Sequence, residues 1–283
     1  MGAQKSTFNV RPRFSSQPMP SIVRDLHLAV MQNDLTKLKL VIASGVDVNY
    51  PWINPEQPSI KDGCTALCEA ISLNHVEAVK TLIDASACST FIGCRDWQIL
   101  FKAVYHGRDA IVKLLFAAGI NIRSRDEDGN TALHICAKNS FVHNNARCIV
   151  TLLECGSAPN AKNRKGHTPL HLAATWGMTE VAGVLLQCKS YVDSVDNEYA
   201  NYMTPFYAAV SHLIQRRQAS SLSREIFSRH LATIKLLLRH RYKNILKISN
   251  DSEFSSWLEM KTPDDLKHLC RLALCIPGKF QEI

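Results

Sequence analysis

Three histidines, His27, His134 and His171, each sit between two aliphatic residues, and histidine is the side chain most often used for proton transfer near neutral pH. Their recurrence at one position of a repeated pattern points away from catalysis and towards a structural role. Ten cysteines invite a second chemistry. Cys64 and Cys68 are four apart, and Cys88 and Cys94 follow, but no compact Cys/His quartet with finger-like spacing closes a zinc site. Cys68, Cys136, Cys148, Cys155 and Cys188 fall inside apolar helical patterns with no signal-peptide pattern before them, so the expectation is reduced thiols in the cytoplasm or nucleus. A Gly-rich phosphate loop, a paired-carboxylate site and a Gly-x-Ser-x-Gly elbow are all missing from the sequence. The expectation is a non-catalytic chain with no catalytic residue, metal or cofactor.

Charge narrows the partners. The 283 residues carry 33 Lys and Arg against 25 Asp and Glu, a formal +8. Nine of those bases and a single acid, Glu225, lie between Ser211 and Lys247, and the remainder carries 24 of each sign. An excess confined to one stretch suggests a solvated insertion or a docking patch, not a uniformly basic nucleic-acid binder. Arg216, Arg217, Arg224, Arg229, Arg239 and Arg241 lack interleaved aromatics or a nucleic-acid module, so no nucleic-acid partner is expected. No apolar run nears the roughly 20 residues that cross a bilayer, and no membrane partner is expected either.

The elements that must position these residues emerge from self-comparison. Gly166-His-Thr-Pro-Leu-His-Leu-Ala-Ala174 is followed by Gly177 and an apolar run from Val181 to Leu186. Related segments begin at Thr65, Gln98, Thr131, Thr168 and Thr204, with steps of 33, 33, 37 and 36, and an earlier copy contains Leu26-His-Leu-Ala29 and Gly45-Val-Asp-Val-Asn49. Threonine can cap a first helix, and proline at its first turn gives up an N–H that had no partner. Leucine and alanine at helical spacing face the neighbouring copy, and glycine after the second helix, as in Ala118-Gly119 and Cys155-Gly156, ends it. One copy cannot bury its own apolar face, so the stack is the folding unit.

Thr168, Pro169, Leu170, His171 and Ala173 reproduce the Thr-Pro-Leu-His-x-Ala signature, and through them the array resembles ankyrin repeats. The resemblance implies an all-α solenoid of about six helix-turn-helix repeats over residues 21–245, with the signature histidines hydrogen-bonding between repeats. Residues 1–20 would be a disordered or ordered N-terminal arm. The period breaks near residues 50–61, around Trp52, near 140–146, and in the basic stretch 212–232, which is expected as an insertion between the two helices of the last repeat. The third copy has Gln98-Ile99 where Thr-Pro stands elsewhere, so its helix start should be less regular. Finger turns and first helices would bind a protein substrate, which gives the candidates Trp97, Tyr105, His106, Glu127, Asn130, Arg164, His167 and Trp176. The two tryptophans lead because aromatics dominate interface hot spots.

Residues 246–283 hold a further helix signal: Thr262-Pro263 as cap and first turn, then Leu266, Cys270 and Leu274 every four residues, with Leu269 widening the apolar stripe. Leu-Lys-His-Leu-Cys-Arg at 266–271 resembles the first helix of a SOCS box, and the whole chain resembles the ankyrin repeat and SOCS box family. That resemblance implies a substrate-recognition adaptor of an elongin-cullin ubiquitin ligase. Leu266, Leu269, Cys270 and Leu274 would contact elongin C, which brings elongin B, and a cullin and RING protein would complete the assembly. A full box continues into a Leu-Pro-x-Pro segment, of which Pro277 alone is present here. The alternatives are an ankyrin scaffold that recruits no ligase, and a tail helix that only caps the last repeat.

Overall fold

The computed structural model describes residues 20–50, 64–85, 96–139, 145–188, 204–218 and 224–246. Twelve helices and no strand occur among them, arranged as six consecutive pairs in two units that divide after Ile122. The first unit holds α1 (Ser21–Met31), α2 (Leu35–Ala43), α3 (Ala66–Leu73), α4 (Val76–Asp84), α5 (Asp96–Tyr105) and α6 (Asp109–Ala117). The second holds α7 (Ala132–Lys138), α8 (Asn145–Glu154), α9 (Pro169–Thr175), α10 (Thr179–Gln187), α11 (Pro205–Gln218) and α12 (Arg224–Leu246).

Four of the six pairs start at the threonine that the sequence marks. Thr65 Oγ1 accepts the Cys68 amide at 3.4 Å and Thr204 Oγ1 accepts the Tyr207 amide at 3.3 Å. Thr131 and Thr168 form capping boxes with His134 and His171, and Pro169 occupies the first turn of α9. Lacking a capping threonine, the third pair begins earlier: α5 starts at Asp96, two residues before Gln98. The second helices of three pairs end at residues with left-handed backbone, Gly45, Gly119 and Gly156.

Within each unit, first helices pack on first helices and second on second, α1 on α3 on α5 and α7 on α9 on α11. Leu67, Leu100, Leu133 and Leu170, one per signature, are fully buried, as are Ala70, Ala103 and Ala173. Every such leucine withdrawn from water stabilises by about 1.5–3 kcal/mol, and the small alanines let the helices approach.

Much of the basic stretch is helical. Residues 212–218 continue α11, which reaches 14 residues, and 224–232 form the first part of the 23-residue α12, whereas the other ten helices run 7 to 11. These segments contain Arg, Gln, Leu and Ala without Gly or Pro, so nothing stops the helices. Nor is the stretch wholly solvated: His230 is 2% exposed, its Nε2 donates to the Thr175 carbonyl at 3.1 Å, and its ring stacks on His212 at 5.5 Å. Arg229 and Arg239 on the same helix are exposed. Residues 1–19, 51–63, 140–144 and 247–283 lie outside the described part, and with them Trp52 and the proposed elongin-contacting Leu266, Leu269, Cys270 and Leu274.

Candidate protein-binding fingers

The second unit carries two finger turns of identical build, one before α7 and one before α9. In the first, the Asp126 amide donates to the Asn130 carbonyl at 3.0 Å, and Asp126 Oδ1 accepts the amides of Asp128 at 3.0 Å and Asn130 at 2.7 Å. In the second, the Asn163 amide donates to the His167 carbonyl, and Asn163 Oδ1 accepts the amides of Lys165 and His167, all at 3.0 Å. An Asp or Asn side chain closing its own turn in this way fixes the backbone without help from a strand. Gly129, with φ +77, completes the first turn, and a Cβ there would lie 3.0 Å from the backbone nitrogen of Arg164.

Cross-ties then join the two fingers into one block. The Arg164 amide donates to the Asp128 carbonyl at 2.9 Å, and Asn163 Nδ2 donates to Asn130 Oδ1 at 2.9 Å. Arg125 Nη1 donates to the carbonyls of Gly129 at 2.8 Å and Lys162 at 2.7 Å. Beneath them His134 accepts the Thr131 amide on Nδ1 at 3.1 Å, which leaves Nε2–H to donate to the His167 carbonyl at 2.9 Å. Burial pushes the His134 imidazole down from its ordinary 6.5 to about 4, outweighing the contact with the His167 backbone, so the ring is neutral at physiological pH. In the first unit His27 plays a related part, with Nδ1 3.1 Å from Glu69 Oε2 and Nε2 3.4 Å from the Tyr50 carbonyl. These two signature histidines thus bond into the following repeat. His171 meets Thr168 of its own cap at 3.1 Å through the backbone amide.

The sequence candidates distribute as follows. Glu127 and Arg164 are exposed at the finger tips, next to exposed Asp128 and Lys165, so an acidic tip stands beside a basic one. Asn130 and His167 are half-buried; Asn130 bonds to Asp126 Oδ2 as well as to Asn163, and the His167 ring stacks on His171 at 5.6 Å. Trp176 is half-buried at the end of α9 with its ring 5.4 Å from that of His212. In the first unit Tyr105 is 56% exposed at the end of α5, and its ring meets His106 edge-on at 5.4 Å. His106 is held below its ordinary range by burial, then by Lys102 and Arg108. Trp97 belongs to α5, and its side chain lies outside the described residues.

The structure brings Glu127, Asn130, Arg164 and His167 together on one finger block. Sequence reasoning missed Arg125, Asp126 and Asn163, which hold that block. Asp126 and Asn163 each stand five residues before a signature threonine and three before a glycine, a spacing that could have revealed them. No group of three His, Cys, Asp or Glu among the described residues could hold a metal ion, and no described helix is long and apolar enough to cross a membrane.

Residues 26–126, 119–197 and 142–247 each match the family described as ankyrin repeats (3 copies). The chain is similar to glycerophosphocholine phosphodiesterase gde1 of Schizosaccharomyces pombe, with 35% identity over 47% of this chain. It is also similar to human SH3 and multiple ankyrin repeat domains protein 2, with 25% identity over 67% of the chain, and to E3 ubiquitin-protein ligase KEG of Arabidopsis thaliana, with 29% over 66%. The matched segments amount to 12%, 11% and 12% of those three proteins, so the likeness is to one part of each.

Proposed function

This chain belongs to the ankyrin-repeat family, and on that premise we propose that it is a non-catalytic scaffold that captures a protein partner through its finger turns. The observation that supports this most is the two-finger block, where Arg125, Asp126, Asn163 and His134 fix the backbone and leave Glu127, Asp128, Arg164 and Lys165 exposed at the tips. A surface already rigid before association loses little conformational entropy on binding, which favours affinity. Phosphodiesterase activity does not follow from the yeast relative, because the matched segment is 12% of that protein.

Affinity capture with the full chain tests the reading when run beside a Glu127→Ala/Arg164→Ala double variant. Partners held by the wild type should be lost or weakened at least tenfold in the variant, with its circular dichroism unchanged. Partners retained equally by both would place the contact elsewhere and overturn the finger assignment.

A second reading rests on Leu-Lys-His-Leu-Cys-Arg at 266–271, which lies beyond the ankyrin match that ends at residue 247. In it the tail binds elongin C through Leu266, Leu269, Cys270 and Leu274, with elongin B following, and the chain selects substrates for a cullin and RING ubiquitin ligase. Its place of action would be the cytoplasm or nucleus. Co-expression with elongins B and C and size-exclusion chromatography decide it. Co-elution that a Leu266→Ala/Cys270→Ala variant abolishes supports the adaptor, whereas failure of the wild type to co-elute leaves the plain scaffold.

A further inference from the structure

The two fingers of the second unit share a build but differ in charge. Residues 158–167, which make the second finger, contain Lys162, Arg164 and Lys165 and no acid, and all three side chains are exposed. The first finger adds to them. Arg125 Nη1 donates to the Lys162 carbonyl at 2.7 Å, and Arg123 Nε donates to the Gly156 carbonyl, two residues before that finger, at 3.3 Å. Both arginines are exposed, so five cations gather on the second finger and its edge.

The acids of the first finger are placed differently. Asp126 turns both oxygens onto its own loop, to the amides of Asp128 and Asn130 and to Asn130 Nδ2. Glu127 and Asp128 are exposed at the first tip. Charge therefore runs from acidic at that tip to basic across the second finger and the arginines laid against it.

We propose that the second finger docks an acidic segment, rich in Asp and Glu, of the protein partner; this rests on the finger reading above and names the chemistry that the fingers recognise. Guanidinium groups meet carboxylates in two-pronged pairs, and the Gly129 and Lys162 carbonyls take only two of the five N–H groups of Arg125. Arginines already held by carbonyls lose less freedom when a carboxylate arrives. In an extended segment alternate residues share one face, so acids at every second position lay a row of carboxylates on the bases. A polypeptide fits better than a nucleic acid. Glu127 and Asp128 would repel a chain charged at every unit, and residues 121–130 and 158–167 contain no Phe, Tyr or Trp to stack a base.

Fluorescence anisotropy of the full chain with a labelled peptide of alternating Glu and Gly tests the proposal. A peptide with Gln in place of Glu and an oligothymidylate of equal charge are the comparisons. The Glu peptide should bind and weaken as salt rises, and the Gln peptide should not bind. Lys162→Gln/Lys165→Gln removes two cations while keeping the Lys162 carbonyl and the Lys165 amide that fix the block. It should weaken the Glu peptide about tenfold with circular dichroism unchanged. Glu127→Gln, which removes a repelling charge, should bind that peptide at least as tightly as the wild type. The proposal is overturned if the Glu peptide binds no better than the Gln peptide, if the lysine variant binds it as well as the wild type, if Glu127→Gln weakens it, or if the oligothymidylate binds more tightly. Failure here would leave the finger reading to its own test, partner capture by the Glu127→Ala/Arg164→Ala variant.

Discussion

Lowering the pH from 7 to 5 should destabilise the second unit through one residue, His134. Its ring is fully buried, takes the Thr131 amide on Nδ1 and gives Nε2–H to the His167 carbonyl. A second proton would have to sit on Nδ1, against the amide that now donates to it. In the folded chain the ring therefore protonates only near pH 4, whereas an unfolded histidine does so near 6.5. Across that window the unfolded state binds the proton and the folded state refuses it, so stability is complete above 6.5 and falls as the pH drops, with no further loss below 4. At 1.36 kcal/mol per pH unit, the loss is about 2 kcal/mol by pH 5 and about 3 kcal/mol at most. Urea unfolding at pH 7 and pH 5 measures it, with His134→Gln as the comparison. Carboxylates titrate alike in both proteins, so the wild type should lose about 2 kcal/mol more than the variant between the two pH values. Equal losses would mean that the buried ring does not resist protonation.

Three other perturbations follow from packing and hydrogen bonds. Ser157 is 8% exposed and its hydroxyl finds no partner among the described residues, so Ser157→Ala should raise stability by about 1 kcal/mol in urea unfolding, and a loss would show a bond there. Gly177 has φ +66, and a Cβ on it would meet His230 Nδ1 at 2.7 Å; Gly177→Ala should cost about 1–3 kcal/mol by the same assay, and a neutral result would mean that α12 is not seated there. Asn163→Ala removes the acceptor for two finger amides and the tie to Asn130. Hydrogen exchange at Lys165 and His167 should accelerate at least tenfold, while the amides inside α7 and α9 stay protected.

Much of the architecture was legible because each repeat announces its own start and stop. Thr65, Thr131, Thr168 and Thr204 mark first helices, while Gly119 and Gly156 mark the ends of second ones, and these are local signals that a period of 33 repeats until they stand out. The long α11 and α12 were not legible, because a charged stretch without Gly or Pro reads equally as solvated loop or continuing helix, and only the burial of His230 and Thr233 against the fifth pair decides. The finger block was half visible. Tip residues such as Glu127 and Arg164 could be counted from the threonine, but the bonds from Arg125 to the Gly129 and Lys162 carbonyls depend on how two repeats are stacked, which no single repeat encodes.

Arg125 spends its guanidinium on main-chain carbonyls, Asp126 and Asn163 spend their oxygens on main-chain amides, and the finger-to-finger tie at Arg164 uses its backbone N–H. Peptide groups are the same whatever side chain they carry. Positions 128 and 165 can therefore change identity while the loops keep their course, so a lineage, or a designer, could exchange one binding partner for another there without first having to rescue the fold.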